Sequence, residues 1–328
     1  MPADRQELLL IGPQRPLLGK GFAAFVVHQF VAGGERDSFL GCVEHVRAMA
    51  VSAPVRPIDD ALMARLPNLE IIASFGVGYD HIDPNAAAQR GIVVTHTPDV
   101  LTEEVADTAV GLLLCTVREL PQAERYLRAG NWRNANYRLS AATLRNRTIG
   151  LVGMGRIGAA IGRRLDGFGV PVVYHARHQR PEFAYRYYPA LIDMAKAVDT
   201  LIVIVPGGAA TRNLIDARVL EALGPDGIVI NVARGSVVDE AALIAALRER
   251  KIMAAGLDVF VNEPNVPAEL LAMENVVLLP HLGSASVYTR EKMDQLVVDN
   301  VLAWAAGKPP LTPVPETPWR GWKGAPGS

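Results

Sequence analysis

The stretch that decides the fold runs from Thr148 to Arg164, T-I-G-L-V-G-M-G-R-I-G-A-A-I-G-R-R. The apolar residues Ile149 to Val152 lead straight into the glycines, and helical spacing follows at once. A strand, a tight turn and a helix N-terminus, in that order, are what a dinucleotide pyrophosphate needs. Gly153 lets the chain turn sharply, Gly155 keeps a Cβ out of the way of the phosphates, and Gly158 lets the helix pack close to the strand. The N–H groups of the helix start then face an anion. The G-x-G-x-x-G spacing alone is weak. The strand before it and the helix after it make it specific.

Outward from this point the chain alternates. Before it, strands are expected at 7–11, 46–51, 69–74 and 92–95. Helical spacing covers 17–31 and 59–66, and a short helix begins at Asp83-Pro84. A long helix then starts at Thr102, a good N-cap followed by Glu103 and Glu104, and its helical character reaches Ala129, where Gly130-Asn131 stops it. It reads as the connector between two halves. After it, strands are expected at 148–152, 171–175, 200–205, 227–232, 253–258 and 275–279. Helices are expected at 156–168 and 240–250, with another from Pro189. A last helix covers about 287–306, and the Pro/Gly/Trp tail from Lys308 to Ser328 is expected to be irregular or extended. The alternation gives an α/β class with parallel sheets.

With 328 residues the chain exceeds one ordinary core, so two domains are expected. A net charge of −1 gives no electrostatic case for nucleic acid or an anionic membrane as partner. The apolar runs 8–11 and 109–117 are too short to span a bilayer or to form a signal-peptide core. Two cysteines, Cys42 and Cys115, suit a reducing cytoplasm and supply neither a disulfide framework nor a metal cluster; no metal is expected.

The cofactor can be narrowed further. A site for NAD puts an acidic residue at the end of the second strand to hold the ribose 2′-hydroxyl. Here that position falls at or beside Ala176, within His175-Ala176-Arg177-His178-Gln179-Arg180. Cations replace the carboxylate, so a 2′-phosphate meets positive charge. NADP(H) is therefore the preferred cofactor, with NAD(H) weaker.

Three residues follow three separate strands: Arg234 in N-V-A-R-G-S, Glu263 in L-D-V-F-V-N-E-P and His281 in L-L-P-H-L-G-S. Loops at the carboxyl ends of parallel strands line the ligand crevice, so the three can converge on one nicotinamide. The set suits a 2-keto acid. Arg234 can grip the carboxylate. His281 can protonate the carbonyl oxygen as hydride arrives. Glu263 can favour the imidazolium and fix its tautomer.

These residues resemble the D-isomer-specific 2-hydroxyacid dehydrogenases over nearly the full chain. The motifs are G-V-G-Y-D at 76–80, G-M-G-R-I-G at 153–158, N-V-A-R-G at 231–235, G-L-D-V-F at 256–260, N-E-P at 262–264 and P-H-L-G-S at 280–284. T-P-D-V-L-T-E-E-V-A-D-T-A, beginning at Thr97, and Y-R-Y-Y-P-A-L at 185–191 are similar to the glyoxylate, hydroxypyruvate and hydroxyphenylpyruvate reductase branch.

The resemblance implies His281 as acid/base, Glu263 as its partner and Arg234 as substrate anchor. It implies that Val77 and Gly78 offer N–H groups to the substrate carboxylate, and that Asp258 contacts the nicotinamide carboxamide. Around the cofactor it implies Met154, Arg156 and Ile157 with the three glycines, Arg177 and His178 at the 2′-phosphate with Ala176 and Arg180 beside them in the cofactor site, and Val205, Pro206, Val232, Ala233 and Gly283 along the groove.

It further implies two doubly wound parallel-sheet domains with a cleft between them. Residues 1–100 and 287–328 would form a flavodoxin-like substrate domain, and 101–286 a Rossmann cofactor domain. A homodimer through the cofactor domains is implied, with Trp132 and Tyr137 as anchors. The implied activity is NADPH-dependent reduction of small 2-keto acids such as glyoxylate and hydroxypyruvate. Alternatives are reduction of hydroxyphenylpyruvate or of a sugar-derived 2-keto acid, and, in another class, a nucleotide-sensing protein like the family's co-repressors. Tyr79, Tyr288 and the tail from Trp319 depart from the pattern and carry no assigned role.

Overall fold

The computed structural model of the chain describes residues 6–30, 36–53 and 57–321. The chain divides into two compact units, Met1–Leu101 with Ser286–Ser328, and Thr102–Ala285.

The first unit carries a five-stranded sheet of β1 (Glu7–Ile11), β2 (Val26–Phe30), β3 (Ala48–Val51), β4 (Ile71–Ser74) and β5 (Val93–Thr95). Its order is β2-β1-β3-β4-β5, and every pairing is parallel. This is the flavodoxin-like doubly wound order. β3, β4 and β5 are buried throughout, as strands covered on both faces must be.

β2 was not expected as a strand, because residues 17–31 carry apolar side chains at both helical and alternating spacing. The helix there is short, Pro16–Gly21, and the chain then turns into β2 at the sheet edge. A Cβ on Gly21 would stand 2.5 Å from Val298 Cγ2, so the helix ends hard against the C-terminal helix Val287–Ala305.

The C-terminal segment returns to this unit through named contacts. The Arg15 Nε donates to buried Asp294 at 2.8 Å. The indole of fully buried Trp304 donates to Glu70 at 3.2 Å. Thr95 bridges Pro313, and the Thr317 hydroxyl accepts the Val94 N–H at 2.8 Å. The tail expected to be irregular or extended is irregular here, with one bridge at Pro313 and a turn in which the Thr317 N–H donates to the Val314 carbonyl at 3.1 Å. Residues 322–328 of the tail from Trp319 lie outside the described residues.

The second unit carries a seven-stranded parallel sheet: β6 (Ile149–Val152), β7 (Val172–His175), β8 (Arg186–Tyr188), β9 (Thr200–Val203), β10 (Ile228–Asn231), β11 (Ala254–Leu257) and β12 (Val276–Leu278). Its order is β12-β11-β10-β9-β6-β7-β8, the Rossmann order with one strand added, and the order reverses between β6 and β9. One apolar cluster, including Val152, Leu201 and Leu220, and a second, including Leu151, Ile202 and Leu113, make up its core.

Two details differ from the expected elements. The helix from Thr102 stops at Arg118, Glu119 takes φ +53, and a new helix runs over Leu120–Arg128. Pro121 explains the break, since it has no N–H to donate and its ring would strike the carbonyl four residues earlier. β8, only three residues long, is held by His175 Nδ1 at 2.9 Å from the Tyr188 carbonyl.

Candidate active site

The Thr102–Ala285 unit gathers its polar loops at the carboxyl ends of β6, β7, β9, β10, β11 and β12, around the point where strand order reverses. Ligands bind at such a point because adjacent loops diverge there and leave a crevice.

The glycine turn behaves as its sequence implied. Gly153 has φ +112, and a Cβ on it would lie 2.7 Å from the Ile204 carbonyl oxygen. A Cβ on Gly158 would lie 2.3 Å from the Gly153 carbonyl oxygen. Gly155 differs: a Cβ there would meet nothing within 4 Å. That open space lies at the start of the helix Arg156–Asp166, which no side chain caps. Uncapped N–H groups beside open space fit a pyrophosphate. Met154 is buried in the core, so only its backbone can face a ligand.

After β7, Arg177 and His178 are exposed, and among the described residues neither has an ion-pair partner. Arg180 is more constrained. Its Nε donates to Glu182 at 2.8 Å and its backbone N–H donates to the Tyr174 hydroxyl at 2.7 Å. After β9, Val205 is half-buried and Pro206 exposed. After β10, Val232 and Ala233 are buried.

The loop carrying Arg234 is braced by Asn231, a buried residue whose role the motif alone does not reveal. Its side chain accepts the Ala233 N–H and donates to the Arg234 carbonyl, both at 3.1 Å. Arg234 Nη1 donates to the Ala233 carbonyl at 2.8 Å. Gly235 is obligatory, because a Cβ would lie 1.9 Å from the Phe260 carbonyl carbon.

His281 and Glu263 meet directly, Nδ1 to Oε2 at 2.7 Å. The other Glu263 oxygen accepts the Phe260 N–H at 3.0 Å. Burial pushes the Glu263 carboxyl up. The hydrogen bonds from His281 and Phe260, with the charges of His281 and Arg234, outweigh it and hold the group below its ordinary value. His281 Nε2 has no protein partner among the described residues, and the side chain is 47% exposed. One ring nitrogen is thus fixed and the other is available to a ligand.

Asp258 anchors this loop. One oxygen accepts the Leu282 N–H at 2.7 Å and the other the Gly283 N–H at 2.9 Å. Its own carbonyl accepts the His281 N–H at 2.9 Å. Burial raises the Asp258 carboxyl above its ordinary value against the opposing pull of the two N–H groups. The resemblance implied a nicotinamide contact here. The geometry gives both carboxylate oxygens a structural task as well.

In the other unit, Gly76 has φ +128 at the start of the loop after β4, and its N–H and carbonyl are both tied to Thr97. His96 Nδ1 lies 2.9 Å from the Val77 carbonyl. Among the described residues the N–H groups of Val77 and Gly78 find no acceptor. Thr97 and His96 therefore hold a pair of free donors in place. Tyr79 donates to Glu316 at 3.1 Å and packs edge-on to His96, so it ties the loop to the C-terminal segment. Tyr288 is exposed, with Lys292 over its ring.

Residues 110–283 match the model of the D-isomer specific 2-hydroxyacid dehydrogenase, NAD binding domain. Glyoxylate/hydroxypyruvate reductase A of Arabidopsis thaliana is 48% identical over 256 residues, covering 78% of this chain and 82% of that protein. Hydroxyphenylpyruvate reductase of Plectranthus scutellarioides is 42% identical over 280 residues, covering 85% and 89%. An NADPH-dependent glyoxylate/hydroxypyruvate reductase of Sinorhizobium meliloti, solved with NADP and malonate, superposes with a TM-score of 0.91 at 53% identity, covering 97% of this chain and 99% of that one.

The lowered Glu263 carboxyl carries a stability consequence. Its contribution is fully present above the ordinary value of 4.5 and is lost as pH falls through the lower folded value. The thermal midpoints of the parent and Glu263→Gln should differ most above that pH and converge below it. Midpoints measured across acid pH will show this.

Proposed function

The chain belongs to the D-isomer-specific 2-hydroxyacid dehydrogenase family, and we propose that it reduces glyoxylate and hydroxypyruvate to the 2-hydroxy acids with NADPH. The observation that carries this reading is the His281–Glu263 pair at 2.7 Å with His281 Nε2 left free, on the same sheet edge as Arg234 and the glycine turn.

Bound NADPH supplies the hydride that reduces the carbonyl carbon. The protein's part is to position the acid and supply a proton. Arg234 is assigned to the substrate carboxylate. His281 Nε2 gives its proton to the carbonyl oxygen as the hydride bonds to the carbonyl carbon, so the C=O becomes H–C–O–H of the 2-hydroxy acid. Glu263 keeps Nδ1 protonated and stabilises the imidazolium beforehand. Water returns the proton afterwards. In the oxidative direction the same nitrogen takes the proton back. Asp258, Val205, Pro206, Val232, Ala233 and Gly283 are assigned to the nicotinamide side of the cofactor. The small-acid reading is favoured over hydroxyphenylpyruvate because the relatives at 48% and 53% identity carry it, against 42%.

NADPH is preferred over NADH in this proposal. Arg177 and His178 are exposed after β7 without ion-pair partners among the described residues, and a 2′-phosphate would supply one. Cys42 and Cys115 are both unpaired thiols, which supports the cytoplasm as the compartment. No helix among the described residues is long and apolar enough to cross a membrane.

A homodimer through the Thr102–Ala285 unit is part of the same reading. The helix Leu120–Arg128 buries none of its residues, and Trp132 and Leu139 are 64% and 94% exposed. An apolar strip of this kind fits a second copy. Tyr137 donates to Glu119 at 2.9 Å and packs on Tyr126, so Trp132 is the better anchor.

Two outcomes test these assignments. With hydroxypyruvate, NADPH should exceed NADH in kcat/KM by about tenfold or more, and Arg177→Ala with His178→Ala should shrink that ratio by raising the KM for NADPH. A lost charge-assisted contact is worth about 1.5–3 kcal/mol, roughly tenfold or more. Equal or better rates with NADH in the parent would remove the preference, and a panel of 2-keto acids ranks the substrates. Separately, Trp132→Ala with Leu139→Ser should shift the molar mass in solution from dimer towards monomer by light scattering.

A further inference from the structure

Apart from the residues with assigned roles, the first unit holds a second group of chemistry-bearing side chains: Glu7, His28 and His45. Glu7 is the first residue of β1 and His28 lies within β2. The parallel register pairs Glu7 with Val26 and Leu9 with His28. Glu7 and His28 therefore stand on one face of the sheet, as a diagonal pair. His45 lies in the turn between the helix Arg36–Cys42 and β3. Its neighbours Val43 and Val46 are fully buried in the same cluster as Leu9, which fixes the turn above that face.

The three side chains converge. Glu7 Oε2 lies 2.6 Å from His28 Nε2 and also meets His45 Nε2. The imidazole rings are 5.9 Å apart and nearly perpendicular. One ligand atom from each residue falls within a 4.8 Å set. Glu7 and His28 are about a third exposed and His45 about half, so an ion has a path in and room to keep water.

We propose that Glu7, His28 and His45 form a binding site for a divalent transition ion of the zinc class, completed by water. Two imidazoles and one carboxylate are a borderline donor set that zinc accepts at about 2.0–2.2 Å, whereas magnesium and calcium require oxygen ligands throughout. The balance is simple. Each imidazole must turn a lone pair on Nε2 to the ion, so the Nε2 proton now facing Glu7 moves to Nδ1 or leaves to solvent. No electron transfer is involved.

The site's place in the fold sets its role. Glu7 begins β1, whereas the loop of Gly76, Val77 and Gly78 follows the end of β4, and the strands are parallel. The ion therefore sits at the opposite end of this sheet from that loop. It ties the edge strand β2 to β1 and to the turn before β3, which makes it a stabilising clamp rather than a participant in hydride transfer.

The test uses the full, untagged chain stripped with a chelator and titrated calorimetrically with zinc chloride, alongside thermal midpoints. One equivalent should bind, the midpoint should rise with zinc, and magnesium chloride should do neither. His28→Gln with His45→Gln should weaken zinc binding by about tenfold or more and abolish the rise, while NADPH-linked turnover stays unchanged. His281→Ala should keep both effects. If the double variant folds poorly, Glu7→Gln serves the same comparison. Absence of binding to the parent overturns the proposal and leaves a hydrogen-bonded cluster only. Binding undiminished by the substitutions, or lost in His281→Ala, overturns it as well.

Discussion

Where the imidazole of His281 stands is decided by a buried carboxylate, Asp258. His281 holds φ +52, the left-handed region that costs a residue with a Cβ on the order of 1 kcal/mol or more. Three hydrogen bonds with Asp258 hold it there: its own N–H to the Asp258 carbonyl, and the next two N–H groups to the Asp258 carboxylate. Bonds to an ionised acceptor each contribute more than neutral ones, enough to offset the backbone strain. The carboxyl is in turn pushed up by its burial, so the arrangement spends stability to fix one side chain. With the backbone fixed, His281 Nδ1 reaches Glu263 and Nε2 is left free.

The parallel sheet makes this local arrangement useful. Asp258, Glu263, Arg234 and His281 come from the ends of β10, β11 and β12, and the glycine turn comes from the end of β6. A parallel sheet delivers every one of these loops to the same edge, because all its strands point one way. Gly235 and Asn231 then set the loop of Arg234 close under Phe260, at a distance that tolerates no Cβ. Packing and chemistry are one constraint here. A change of volume behind the loop would move the guanidinium.

Much of this was legible in the sequence. The strand–glycine–helix stretch at 148–164 marks a Rossmann turn, because backbone crowds Gly153 and Gly158 while Gly155 leaves open space at the helix start. The three residues after three strands follow from the parallel arrangement. What stayed hidden has physical causes. β2 was masked by residues 17–31, whose apolar pattern fits two periods. The break at Glu119 needed the weight of Pro121 against an otherwise helical run. The anchoring task of Asp258 depends on which way two oxygens point, and no local pattern encodes that. Asn231 ends an apolar strand with a polar side chain, and that was the available signal for its brace. The cluster of Glu7, His28 and His45 joins residues 21 and 38 positions apart, which only strand register brings together.

The central claim is that His281, oriented by Asp258 and Glu263, supplies the proton that completes reduction. Single-turnover transfer of hydride from NADPH to hydroxypyruvate, followed by loss of NADPH absorbance in His281→Ala, tests it most directly. The account predicts a rate lower by about 10²–10⁴-fold with NADPH affinity unchanged. A rate close to that of the parent protein would contradict it.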